Sequence, residues 1–241
     1  MRLFCFPYAG GTALIYRDWA DLLPSIVQVV SIELPGRGTR SKEPPFTKLP
    51  PLIDALTKAT LPLLNAPFAF FGHSMGAVIA FELARSLSRQ YSREPQALFV
   101  SGRSAPQLPD NAPSSYNLPG DEFIEELHRL NGTPKDVLVN AELMELMIPL
   151  LRADFQMVQT YEYFADKPLR CPIIVYGGLE DYETPREMLL QWGEQTSSTF
   201  SLQMFPGDHF FLRSSQTLLA ESLSLELREI VARSHINNAG S

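Results

Sequence analysis

Gly72-His73-Ser74-Met75-Gly76 stands between an apolar run and a helical pattern, within "FFGHSMGAVIAFELA". G-x-S-x-G at a strand-to-helix turn is the spacing a nucleophilic serine needs. The turn must be sharp enough to project the hydroxyl from the sheet edge, and the flanking glycines avoid collisions there. The N–H of the residue after the serine then helps to hold an oxyanion. Such a serine needs a base, and the base needs an orienting acid. Of four histidines, His73 lies inside the turn, directed away from the serine's reacting side. His128 falls in "EELHRL", a charged amphipathic helix that reads as a solvated face, and His235 is in the tail. His209, in "MFPGDHFFL", follows the last apolar run and fits the base.

The acid is expected after a strand and before that histidine. "IIVYGGLEDYETP" supplies Asp181, the favoured residue, and Glu180, the fallback. The loop in "VSGRSAPQLP" offers no carboxylate before Asp110. Asp208 is adjacent to His209, a poor place for an imidazole partner. For a second oxyanion donor the loop "FPYAGG" is suitable, because Ala9, Gly10 and Gly11 let backbone approach a carbonyl. The expected donors are the N–H groups of Ala9 and Met75. This chemistry calls for no cofactor and no metal.

Six apolar runs bounded by turn signals would carry these loops: Leu3–Phe6, Ile26–Leu34, Phe68–Phe71, Ala97–Val100, Ile173–Tyr176 and Phe200–Phe205. Helical patterns lie between most of them, so the fold class is α/β, a mostly parallel sheet covered on both faces. Met75–Ser88 has a 3.6-residue apolar period. Thr184-Pro185 reads as an N-cap followed by proline at the first helical position. Ser214 and Ser215 open a final helix, and "HINNAGS" reads as a frayed tail. One stretch breaks the alternation: residues 115–165 show two helical patterns and no strand, an insertion within a single domain spanning 1–241 that would cover one end of the sheet.

Bulk properties agree with a soluble globular protein with a full core. Of 241 residues 45% are hydrophobic, and 27 acids against 20 bases give a net charge of −7, which argues against binding nucleic acid through phosphate contacts. Four apolar residues before Pro7 are too few for a signal-peptide core or a membrane span. Cys5 and Cys171 read as buried thiols in a reducing cytosol. A monomer is the default expectation.

The set "LFCFPYAGG", "LPGRG", "FGHSMGA", "SGRSAP", "LHRLNGTP", "LLRADF" and "GDHFFL" resembles the type II thioesterases, stand-alone α/β-hydrolases that serve nonribosomal peptide and polyketide synthases. The likeness runs from residue 3 to about residue 212, with Ser104 standing where the family pattern suggests a second basic residue. It implies an α/β-hydrolase fold and a triad of Ser74, Asp181 and His209. It also implies a helical lid at 115–165 and hydrolysis of acyl groups carried on the phosphopantetheine arm of carrier proteins. A general carboxylester hydrolase or an acyltransferase of the same fold would use the same machinery. Within the lid, Met144, Met147 and Phe155 are the expected selectors of the acyl chain, methionine being tolerant of varied partners. In "GRGTRSK", Arg37, Arg40 and Lys42 follow a strand's carboxyl end and are candidates to receive an acidic carrier. The competing reading is a solvated turn in which Arg37 pairs internally.

Overall fold

The six apolar runs become six parallel strands: β1 (Arg2–Phe6), β2 (Gln28–Ser31), β3 (Phe68–His73), β4 (Leu98–Ser101), β5 (Ile173–Gly178) and β6 (Phe200–Phe205), in the order β2-β1-β3-β4-β5-β6. The structure, a computed structural model, describes residues 1–109, 114–130 and 140–239. Side chains alternate across the sheet. Phe4, Phe6, Phe70, Val100 and Val175 face α2 (Leu49–Thr60) and α3 (Met75–Tyr91). Leu3, Cys5, Phe71, Phe99 and Tyr176 face Trp19 of α1 (Trp19–Leu22) and the final helix. Burial on both faces is why β1, β3, β4 and β5 read as continuous apolar runs, whereas β6, at an edge of the sheet, alternates.

β2 is shorter than its apolar run. As one of the two edge strands it has one partner, and the Val27 N–H closes a turn on the Pro24 carbonyl at 2.8 Å. The chain leaves β1 for β2 on one side and returns to β3 on the other. This reversal opens a crevice at the carboxyl ends of β1 and β3, where such sheets bind ligands.

Between β4 and β5 lie α4 (Gly120–Leu130) and α5 (Ala141–Gln159), with no strand among the described residues from 114 to 166. Phe123, Leu127, Met144 and Leu151 form a small apolar cluster of their own. Asn140 caps α5 by accepting the Leu143 N–H at 3.1 Å, and Pro149 lies inside the helix.

Past β5, the expected cap is displaced. Pro185 is extended (φ −61, ψ 156) and takes the N-cap position of α6 (Arg186–Leu190), while the Thr184 hydroxyl is drawn to Asp181. After β6 come α7 (Phe211–Ser214) and α8 (Gln216–Ala239), the latter running into the segment expected to fray.

Candidate active site

Ser74 is held in a backbone conformation that non-glycine residues rarely adopt (φ 53, ψ −114). Strain of this kind is of order 1–3 kcal/mol and persists only where the surroundings over-determine it. Here they do. The Ser74 N–H donates to the Ser101 carbonyl at 2.8 Å, and the Ala77 N–H donates to the Ser74 carbonyl at 3.0 Å. Both flanking glycines are required: a Cβ on Gly72 would lie 2.0 Å from the Gly76 carbonyl oxygen, and one on Gly76 would lie 2.1 Å from that of Phe6. Met75 opens α3, so its N–H is one of the helix's orphan donors and sits at the positive end of the helix dipole.

His209 Nδ1 is 2.7 Å from Asp181 Oδ2. Two loops make this pair. The backbone N–H groups of Leu179 and Glu180 donate to Phe205 and Gly207 at 2.8 and 3.0 Å, which lashes the loop after β5 to the loop after β6. Gly178 permits that approach, since a Cβ there would meet the Asp208 carbonyl oxygen at 2.5 Å. The Asp181 carboxylate is buried and accepts three further hydrogen bonds. The Thr184 hydroxyl donates to Oδ2 at 2.6 Å, and the N–H groups of Glu183 and Thr184 donate to Oδ1 at 3.0 and 3.2 Å. Burial alone would raise this carboxyl, but the bonds from His209 and Thr184 and the His209 charge outweigh it and bring it down to about 2. With Asp181 accepting at Nδ1, Nε2 is the ring nitrogen left to take a proton from a nucleophile. Glu180 is exposed, and Asp208 Oδ1 accepts the Phe210 N–H at 2.8 Å.

His73 is fully buried, with Nδ1 2.8 Å from Ser101 Oγ and its ring 5.1 Å from that of His209. Burial, reinforced by His209 and opposed by Asp181, pushes it well below the usual imidazole range. His128 is exposed on α4. His235 lies in the backbone course of α8.

The predicted docking residues divide. Arg37 is buried and forms a two-pronged ion pair with Asp154, at 2.9 and 2.7 Å, so it is withdrawn from any docking surface. The internal pairing prevails because two buried charges satisfy each other. Arg40 is half-buried and clasped by Glu43 at 2.7 and 2.6 Å, and Lys42 is exposed. The lid candidates divide too. Met144 is buried in the insertion's own cluster, Phe155 stacks edge-on to Phe123 at 5.6 Å, and Met147 reaches toward Gly10.

Asp154, Tyr8 and Arg213 were not singled out from the sequence, and Thr184 was read only as a helix cap. The signal for Thr184 was Asp181 itself, since an aspartate side chain commonly accepts the N–H two residues on, here that of Glu183, which turns the chain so that Thr184 also reaches the carboxylate. Arg213 lies over the rings of Tyr8 and Phe210 at 5.2 and 5.4 Å and donates to the Tyr8 hydroxyl, a contact spanning most of the chain. Cys5 and Cys171 are buried free thiols; burial pushes Cys5 well up and Cys171 up to about 12. Among the described residues no cluster of His, Cys, Asp and Glu could hold a metal, and no helix is long and apolar enough to cross a membrane.

A parallel sheet with a strained serine after β3 and an acid–histidine pair after β5 and β6 defines an α/β-hydrolase. Residues 1–225 match the thioesterase domain family. The gramicidin S biosynthesis protein GrsT of Aneurinibacillus migulanus is 46% identical over 96% of this chain and 91% of its own length. Among solved structures, the RedJ thioesterase of the prodiginine pathway in Streptomyces coelicolor is 36% identical, with a TM-score of 0.88 over 93% of this chain and 85% of its own. The type II thioesterase BorB of the borrelidin biosynthetic cluster is 33% identical, with a TM-score of 0.86 over 94% of this chain and 92% of its own. The chain belongs to the thioesterase family and is a thioester hydrolase.

Proposed function

We propose that this enzyme removes acyl groups from phosphopantetheine thioesters on carrier proteins of nonribosomal peptide or polyketide synthesis, clearing stalled or misprimed carriers. The observation that carries the chemistry is the 2.7 Å Asp181–His209 pair at the same sheet edge as the strained Ser74. Ser74 Oγ attacks the thioester carbonyl carbon as its proton passes to His209 Nε2. The negative oxygen is held by the N–H groups of Ala9 and Met75. The C–S bond breaks, and the proton on His209 goes to the departing thiol. Water then attacks the Ser74 ester, gives a proton to His209, and releases the acid as that proton returns to Ser74. The gramicidin S, prodiginine and borrelidin biosynthetic settings of GrsT, RedJ and BorB support the choice of substrate. Lys42 and Arg40 lie on the loop after β2 and are the proposed contacts for the carrier, with Met147 and Phe155 governing the acyl chain and Met144 serving the insertion's own core.

The test compares one acyl group on a carrier protein, on coenzyme A and in a simple oxygen ester. The reading requires the highest kcat/KM on the carrier. A preference for the ester would assign a general carboxylester hydrolase instead.

A further inference from the structure

The oxyanion loop is held from an unexpected direction. Asp154, on α5, reaches the loop after β1 across 144 positions of chain and accepts the Gly10 N–H at 2.7 Å. The same carboxylate takes both Nη atoms of Arg37 at 2.9 and 2.7 Å, and Arg37 Nη1 also donates to the Gly11 carbonyl at 3.2 Å. The side chains of this ion pair are only 2% and 1% exposed.

Three constraints therefore meet on two consecutive glycines. Gly10 has φ +74, a conformation its lack of a Cβ allows, and a Cβ there would strike Leu151 of α5 at 2.5 Å. The Gly11 N–H then turns back onto the Tyr8 carbonyl at 2.9 Å. A trans peptide places its N–H opposite its carbonyl. Fixing the Tyr8 carbonyl toward Gly11 thus fixes the Ala9 N–H in the reverse direction. With Gly10 N–H committed to Asp154, Ala9 is the donor of this turn that remains directed away from the clamp.

A buried ion pair is weak evidence of a contribution to stability, and in some proteins such groups serve conformational specificity instead. We propose that Asp154, with Arg37, is a positioning residue that aims the Ala9 N–H at the developing oxyanion. This rests on the serine mechanism proposed above. It assigns to the inserted helix a part in the chemistry: α5 supplies the carboxylate that sets one of the two oxyanion donors.

Asp154→Asn removes the charge and keeps the shape. Arg37→Lys keeps the charge and loses the two-pronged geometry. With a short acyl thioester as substrate, both are expected to lower kcat about 10- to 1,000-fold, the upper end being the loss of one oxyanion donor, with KM within about threefold. Affinity for an alkylboronic acid, which forms a tetrahedral adduct on Ser74, should fall in parallel, while affinity for the matching unreactive thioether should hold. A folded variant with unchanged kcat and boronate affinity would overturn the proposal, even if its melting temperature fell. Should both variants fail to fold, the unaltered enzyme decides. In ¹⁵N-labelled protein the boronate should shift the Ala9 amide resonance strongly and leave the Gly10 amide nearly still; the reverse pattern would overturn it. Ser74→Ala serves as the separate control. If that variant turns over normally, the serine mechanism itself fails; if it is dead while Asp154→Asn is unimpaired, only the role of Asp154 fails.

Discussion

At the scale of single residues, the site is a set of directions imposed on a few polar atoms. Thr184 illustrates this. Its hydroxyl donates to the same Asp181 oxygen that receives His209, so it holds the acid in the rotamer the base needs. Thr184→Val is expected to lower kcat by about 10- to 100-fold, and Asp181→Asn by up to about 10,000-fold through the wrong histidine tautomer. Glu180→Gln and Asp208→Asn should stay within a few-fold. Steady-state kinetics on one acyl thioester orders the four. Should Glu180→Gln prove the worst, the acid is misassigned. His73 makes a different prediction. Burial keeps it neutral in the fold, whereas in the unfolded chain it takes a proton below about pH 6.5. The unfolded state then binds more protons, so stability is full above that pH and is lost as the pH falls toward the depressed folded value. The slope is at most ~1.4 kcal/mol per pH unit. Denaturant unfolding from pH 7.5 to 5 should show the stability margin of the unaltered protein over His73→Asn shrinking as the pH falls. A margin independent of pH would contradict this.

At the scale of elements, the strands and α3 were legible because periodicity and turn residues are local signals. Leu3–Phe6 and Phe200–Phe205 could be bounded from their own residues and the Pro and Gly that follow. The elbow was legible for the same reason in part: Gly72 answers to the Gly76 backbone four positions on, and the G-x-S-x-G spacing is local, although Gly76 itself answers to the distant Phe6 carbonyl. For Arg37 internal pairing was one of two readings, and which would prevail was not legible, because it depends on Asp154, 117 positions later. Thr184 read as a helix cap until the position of Asp181 decided otherwise. The insertion shows the same limit: its helices were readable from pattern, but which methionine faces inward was not. Met144 lies in the insertion's own core and Met147 near Gly10. Met144→Ala is therefore expected to destabilise the protein by about 2–5 kcal/mol and change all chain lengths alike, whereas Met147→Ala should shift kcat/KM in favour of bulkier acyl chains. Pro149 divides α5, because it cannot donate to the Glu145 carbonyl. Past it the helix is tied down by Asp154 and by Gln159, whose side chain accepts the Ser115 and Tyr116 N–H groups at 2.9 and 3.1 Å. Hydrogen exchange should run faster over residues 142–148 than over 151–159, and equal protection would remove the basis for a moving lid.

At the scale of the whole molecule, the net charge of −7 opposes the acidic carrier proposed as partner, so the proposed docking relies on local basic groups. Arg37 is buried and Arg40 is offset by Glu43, which leaves Lys42 as the more effective cation of that loop. Lys42→Glu should raise KM for an acyl-carrier substrate several-fold at low salt, with little effect on a small uncharged thioester. Equal effects on both substrates would mean that the loop matters for structure and not for docking. The central claim, that Ser74 takes the acyl group from a carrier's thioester, is tested most directly by intact-protein mass spectrometry of an acyl-carrier incubated with the enzyme. The account predicts conversion to the free-thiol carrier by the unaltered protein and a transient acyl mass on it that maps to Ser74. It also predicts that folded Ser74→Ala will be slower by several orders of magnitude. Conversion by Ser74→Ala at a near-normal rate, or an acyl mass on any other residue, would contradict it.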